Sequence, residues 1–347
     1  MINEILVAPQ AVAWLPWAVQ YFFYIGSAYG AALLLWLALR AGNRYSVTLV
    51  RALALVLLIS AIVGPLALTA DLHQPGRAWH FFAHLTPGSW MSRGALLLPL
   101  FSVLAVLTAW LCLRPALLTT SARGAAFWRR LALGSWQSSA AQLRFCTLLT
   151  LLSGASIALY TGSEVWVVSA RPLWHQWMLP WLWVASAPLA SVGLGLLIVG
   201  LLGQRLAAED GRLLRLTLWL SAASSLLLLV LWLYWPQGPL PQVGLHFMRL
   251  QAWPALALLL LTLLTAIWLL RWRWLLVILS LAAAAAVRWL TLIDVQRVAR
   301  YDAGIYPYTL AAGSEGWLGI AAMAGLWICL AAILTELIET RDDAAER

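Results

Sequence analysis

The chain has 347 residues, of which 63% are hydrophobic and only 10% charged; its net charge is +9 and its mean hydropathy +0.85. Soluble domains carry roughly 25% charged residues, so this balance excludes a soluble catalytic domain and names lipid as the solvent. The basic charge is all arginine and sits between apolar runs, the pattern of topology signals and not of a nucleic-acid-binding face.

A membrane-spanning helix needs about 20 mostly apolar residues. Runs of that kind predict nine spans, near 15–39, 48–69, 94–116, 143–167, 178–203, 213–235, 251–270, 273–293 and 316–338. The expected fold is an all-α polytopic bundle, one integral membrane domain over residues 1–347. The stretch before the first span, MINEILVAPQAVAW, holds Glu4 and no basic residue. It lacks the positive region of a cleavable signal, so the first span is expected to be retained.

In that span Trp17, Gln20, Tyr21 and Tyr24 fall at i, i+3, i+4 and i+7 and form one aromatic–polar stripe. Gly26 and Gly30 follow as a G-x-x-x-G packing pair. For Gln20 and Tyr21 a ligand-facing and a helix-packing role stand open; Tyr24 reads as packing. The second span closes on Asp71 and His73, in LTADLHQP, where capping and chemistry are both open. The fourth carries Tyr160 and Glu164, four residues apart and therefore on one helical face. A carboxyl at that depth is costly unless it is used, for example to accept a proton. In the eighth span Arg288 stands between AAAAAV and WLTLID, so it needs a carboxylate or carbonyl partner, with Glu164 and Asp71 as the candidates.

Assigning the connections alternately to two sides puts fifteen arginines on one and seven on the other. The positive-inside rule makes the richer side cytoplasmic, which places the N-terminus outside and the C-terminus inside. The links on the poorer side are the longer ones and hold His73, His80, His84, His175 and His246. These histidines fall in outer links or at helix ends, so a haem held between two spans is not expected. Cys112, Cys146 and Cys329 are isolated and form no C-x-x-C, so no iron–sulfur or zinc frame and no metal site is expected in this chain.

Gln20, Tyr21, Asp71, Tyr160, Glu164 and Arg288 thus come from four spans and share the outer half of the bilayer. A quinol would suit such a pocket, because its two hydroxyls need proton acceptors and its ring needs aromatic walls. In this reading Glu164 and Asp71 are the catalytic proton acceptors, and Gln20, Tyr21, His73, Tyr160 and Arg288 bind the quinol. Two other readings are a transporter for a small anion, held by Arg288 and the outer arginines, and a passive anchor without a quinone site. Transporters usually show inverted repeats or paired broken helices, and no internal repeat is visible here.

Six stretches carry a family resemblance: WLPWAVQYFFYIG at 14–26, PLALTADLHQPGRAWHF at 65–81, TPGSWMSRGALLLPLF at 86–101, YTGSEVWVVSARPLW at 160–174, RWLTLIDVQ at 288–296 and YPYTLAAGSEGWL at 306–318. Over nearly its whole length the chain resembles the polysulfide-reductase/NrfD-type membrane anchors, and among them the membrane subunits of tetrathionate reductases. The resemblance implies a quinol-oxidising anchor using menaquinol or ubiquinol, with no haem of its own. Its implied partners are an iron–sulfur subunit with [4Fe-4S] clusters and a molybdopterin catalytic subunit, both periplasmic. The family's quinone-site positions fall on Tyr21, Tyr160 and Glu164; another member carries a histidine where Tyr21 stands. The outer links at Arg77–His84 and Arg297–Tyr308 are the expected docking surface for the iron–sulfur partner.

Overall fold

A computed structural model describes residues 11–120, 125–238, 240, 242–299 and 304–338. In chain order the α-helices are α1 (Pro16–Arg40), α2 (Val47–Asp71), α3 (His80–Ala83), α4 (Trp90–Thr119), α5 (Ala125–Leu131), α6 (Ala140–Trp166) and α7 (Met178–Leu201). They continue with α8 (Ala208–Tyr234), α9 (Gln242–Gln251), α10 (Trp253–Thr265), α11 (Arg273–Trp289), α12 (Val295–Arg297) and α13 (Trp317–Ile338). Eight membrane-length apolar helices stand among the described residues: α1, α2, α4, α6, α7, α8, α13 and the run Arg273–Arg297 that joins α11 to α12.

The expected span at 251–270 takes a different form. α10, extended by a 3₁₀ turn to Trp268, meets α9 at a bend of 41°, and only the pair is long enough to cross as one broken span. The count is therefore eight, or nine with that pair. The cause is visible locally: Pro254 follows the break at Ala252, and proline supplies no N–H to continue a helix from the preceding turn. The third and eighth spans also run longer than expected, to Trp90 at one end and Arg297 at the other.

Packing organises the helices into two four-membered rings. α1, α2, α4 and α6 form the first ring, each touching the next, and α7, α8, α10 and α11 form the second. α1 and α7 join the rings, and α13 lies across them against α2, α1, α7 and α4. Buried residues make up 72% of the most apolar stretch of α1 and 67% of those of α2, α7 and the Arg273–Arg297 run, against 28% in α4 and α13. The former group is central, and the latter two are peripheral.

Small residues set the contact between rings. A Cβ on Gly26 would meet Ala187 and Arg288, and one on Gly30 would overlap the Ser191 hydroxyl and press on the Pro188 backbone. The Ser191 hydroxyl donates to the Ser27 carbonyl at 2.9 Å. The G-x-x-x-G pair thus brings α1 close to α7, as small residues do where both helices are apolar and only packing and hydrogen bonds drive association.

Each end of the bundle is stitched by polar side chains. At the end where α1 begins, Gln296 accepts from the Ala13 and Trp14 amides at 3.0 and 2.9 Å and donates to the Trp14 carbonyl at 3.0 Å. Arg171 donates to the Gln296 carbonyl at 3.2 Å, at the C-terminal end of α12 where carbonyls lack helical partners. At the opposite end the fully buried Asp210 carboxylate accepts from the Ser46 amide, the Ser46 hydroxyl and the Ala207 amide at 2.9, 2.5 and 3.0 Å. Ser46 also caps α2 by accepting from the Leu49 amide.

Candidate functional site

A cavity of about 730 Å³ opens between α1, α2, α4 and α6 at the end where α1 begins. Its walls are mostly apolar, and its polar groups come from all four helices of the first ring. α1 contributes Tyr21, α2 ends on Asp71, α4 contributes Ser102, and α6 contributes Tyr160 and Glu164; His73 stands at the mouth. At 1.5 Å of rise per residue, Tyr21, Gly94 and Tyr160 lie roughly 6–9 Å inside their helix ends, and Ser102 roughly 18 Å inside α4. The chamber therefore runs from the helix ends toward the middle of the bundle.

Each polar group has an identifiable local support. Tyr21 is buried with its ring packed at 4.7 Å from Phe22, and Phe22 in turn packs on Trp14 at 5.7 Å and Trp183 at 4.6 Å. These aromatics form the partition between the cavity and the second ring. Tyr160 is buried, Glu164 half-buried, and one helical turn brings their side chains into interaction. Asp71 accepts from the Leu15 amide at 3.2 Å, which ties the last residue of α2 to the start of α1. The Ser102 hydroxyl is buried without a hydrogen-bond partner.

Three cavity features escaped the reading of the sequence. The first is Gly94, where a Cβ would overlap the hydroxyl and ring of Tyr160. Glycine here lets the phenol lie against the α4 backbone. The others are Pro65 and Pro99, inside α2 and α4. Each removes the helical partner of the carbonyl four residues earlier, and those residues, Ala61 and Ala95, also line the cavity. The signal was present: proline within a span is tolerated where the freed carbonyl finds another partner or lines a cavity.

Of the residues singled out by sequence, the structure gathers Tyr21, Asp71, His73, Tyr160 and Glu164 around one chamber. It leaves Gln20 and Arg288 out of the lining. Gln20 donates to the Pro16 carbonyl at 3.3 Å and, with Tyr24, faces a separate groove of about 310 Å³ between α1, α11 and α13. One residue step along a helix turns a side chain by about 100°, enough to put Gln20 and Tyr21 on different faces.

Arg288 is buried behind the aromatic partition, and neither Glu164 nor Asp71 is its partner. Its guanidinium donates to the Trp183 carbonyl at 2.8 Å, the Ser186 hydroxyl at 2.8 Å and the Phe22 carbonyl at 3.4 Å, and it lies 5.2 Å from the Trp183 ring. Of the two kinds of partner expected, carbonyl and carboxylate, the structure supplies carbonyls, with a hydroxyl beside them. Directly after it, Leu290–Asp294 form a π turn. The Thr291 carbonyl accepts from the Trp174 indole at 2.7 Å, and the Thr291 hydroxyl accepts from the Trp183 indole at 2.9 Å.

No group of three or more His, Cys, Asp or Glu stands arranged to hold a metal among the described residues. The chamber's volume falls within the 300–1,000 Å³ of small-molecule sites, and its few convergent polar groups on apolar walls match their composition.

Comparison with known proteins gives two findings. The family description "Polysulphide reductase, NrfD" matches residues 6–298. A tetrathionate reductase subunit of Salmonella typhimurium is 36% identical over 360 aligned positions, covering 97% of this chain and 96% of that protein. Taken with the helical, multi-pass architecture, they establish that this chain is a member of the NrfD polysulphide reductase family of membrane proteins.

Proposed function

We propose that this chain is the quinol-oxidising membrane anchor of a periplasmic tetrathionate reductase complex. The likeness to a tetrathionate reductase subunit over nearly the full length of both proteins supports the complex. The observation that carries quinol oxidation is the chamber itself, an apolar cavity in which two phenols, two carboxyls and an unpaired hydroxyl converge.

A quinol that gives up two electrons also releases two protons, and the chamber supplies a role for each group. In this reading Tyr21 and Tyr160 hydrogen-bond the ring oxygens, with Phe22 and Trp14 as the aromatic wall. Glu164 and Asp71 accept the protons, and His73 at the mouth passes them to water. The electrons leave to an iron–sulfur subunit on the same side and from there to a molybdopterin subunit. With the N-terminus in the periplasm of the inner membrane, the protons leave on the side that the electrons reach. This step then moves no net charge across the bilayer.

The test separates the quinol from the terminal reaction. Glu164→Gln keeps the shape of the side chain and removes its carboxylate. In the purified complex, quinol-driven tetrathionate reduction should fall by roughly 100-fold or more, the usual effect of losing a general base. Reduction driven by a dye that donates directly to the soluble subunits should be unchanged. If both activities survive, Glu164 is structural and the passive-anchor reading replaces this one.

A further inference from the structure

At the end of the bundle away from the chamber, a second cavity of about 740 Å³ lies between the link after α7 and the α10–α11 link. Its lining includes three guanidinium groups, Arg205, Arg271 and Arg273, and no carboxylate. Arg273 is fixed, donating to the Gln204 carbonyl at 3.3 Å and lying 5.1 Å from the Trp274 ring. Arg205 and Arg271 are exposed, and their side chains make no hydrogen bond or ion pair among the described residues. Arg273 also opens α11, so the amides of its first turn add N–H groups without helical acceptors to the same wall.

The apolar walls are built and not incidental. A Cβ on Gly200 of α7 would overlap the Trp274 ring, and one on Gly211 of α8 would come within 3.0 Å of Leu270. These two glycines let Trp274 and Leu270 seat closely on the neighbouring helices. Trp272, Trp274, Leu270 and Leu275 nonetheless remain exposed. Tryptophan beside arginine at a helix end marks the depth of lipid headgroups. Basic pockets between membrane helices bind anionic headgroups at that depth.

We propose that this cavity seats the phosphate headgroup of one anionic phospholipid, bridged by Arg205, Arg271 and Arg273, with an acyl chain along Leu270, Trp274 and Leu275. A free phosphate would use the guanidinium groups but would leave the exposed leucine and tryptophan wall uncovered. The lipid would tie the α7–α8 link to the α10–α11 link and so hold the second ring at this end.

The experiment uses the detergent-purified full chain in its complex. Lipid retained through purification is identified and counted by mass spectrometry. Thermal stability is followed on adding phosphatidylglycerol, phosphatidylcholine or inorganic phosphate. The expected result is about one anionic phospholipid per chain and stabilisation by phosphatidylglycerol alone. Arg205→Gln/Arg271→Gln, which leaves the Arg273–Gln204 bond in place, should weaken phosphatidylglycerol binding at least roughly tenfold. Equal stabilisation by phosphatidylcholine, or by phosphate alone, would overturn the proposal, as would undiminished lipid in the double variant. If that variant does not fold, the three-way comparison on the unaltered protein still decides.

Discussion

Two clusters of polar groups at membrane depth, one in each four-helix ring, are arranged differently. In the second ring Arg288 has three acceptors, and Trp174, Trp183 and Trp232 each donate an indole N–H to a carbonyl or hydroxyl of the surrounding helices and links. These groups close on one another and fill the end of the ring. In the first ring Tyr21, Tyr160, Glu164 and Ser102 line an open chamber, the Ser102 hydroxyl without a partner, and a glycine at 94 leaves room for the Tyr160 ring. Buried polarity by itself therefore does not mark a functional site. What distinguishes the two is that one set closes on itself in a packed interior and the other borders an open chamber.

This contrast can be broken from either side, and the largest effect is expected in the closed ring. Arg288→Met leaves the Trp183 carbonyl with only the longer bonds from the Tyr29 and Ser186 hydroxyls and removes the donor to Ser186 in a dry environment, at a cost of about 3 kcal/mol. A fall in thermal stability and in the yield of assembled complex would show it, with quinol- and dye-driven turnover per assembled complex falling little. Equal stability of Arg288→Met and the unaltered protein would remove Arg288 from the closed network.

In the open ring, Gly94→Ala should displace Tyr160 from α4 and lower quinol-driven activity by roughly tenfold while sparing dye-driven activity. The Tyr160 ring can move into the open chamber, so thermal stability should change little. Unchanged quinol kinetics would show that the Tyr160 hydroxyl has no part in binding.

Two smaller effects sharpen the boundary between the rings. Trp232→Phe removes one buried hydrogen bond, to the Leu173 carbonyl at 3.0 Å, and should cost about 1 kcal/mol in thermal unfolding. Gln20→Ala should change quinol-driven activity by less than about twofold, because Gln20 bonds its own helix and faces the other groove. A large loss there would make the α1–α11–α13 groove the quinol site instead.

The architecture was legible from residue 15 onward because lipid leaves a chain few choices: every backbone group must be paired inside the helix. The same constraint made Glu164 and Tyr160 conspicuous. The partner of Arg288 was not legible, because its acceptors are two backbone carbonyls and a serine, and any sequence offers those everywhere. Gln20 and Tyr21 were grouped in one stripe because an i, i+3, i+4 pattern spans a broad face, and only the packing of α11 and α13 on one side of α1 divides it. Gly94 was invisible for another reason. Its role is to be absent where Tyr160 lies, and that depends on a residue more than sixty positions away.

The most direct test of the central claim is a structure of the assembled complex with a quinol-analogue inhibitor bound. The account predicts the ring between Tyr21 and Tyr160, within hydrogen-bonding reach of Glu164, in the chamber enclosed by α1, α2, α4 and α6. A ring bound in the α1–α11–α13 groove, or an inhibitor seated wholly on a partner protein with this chamber empty, would contradict it.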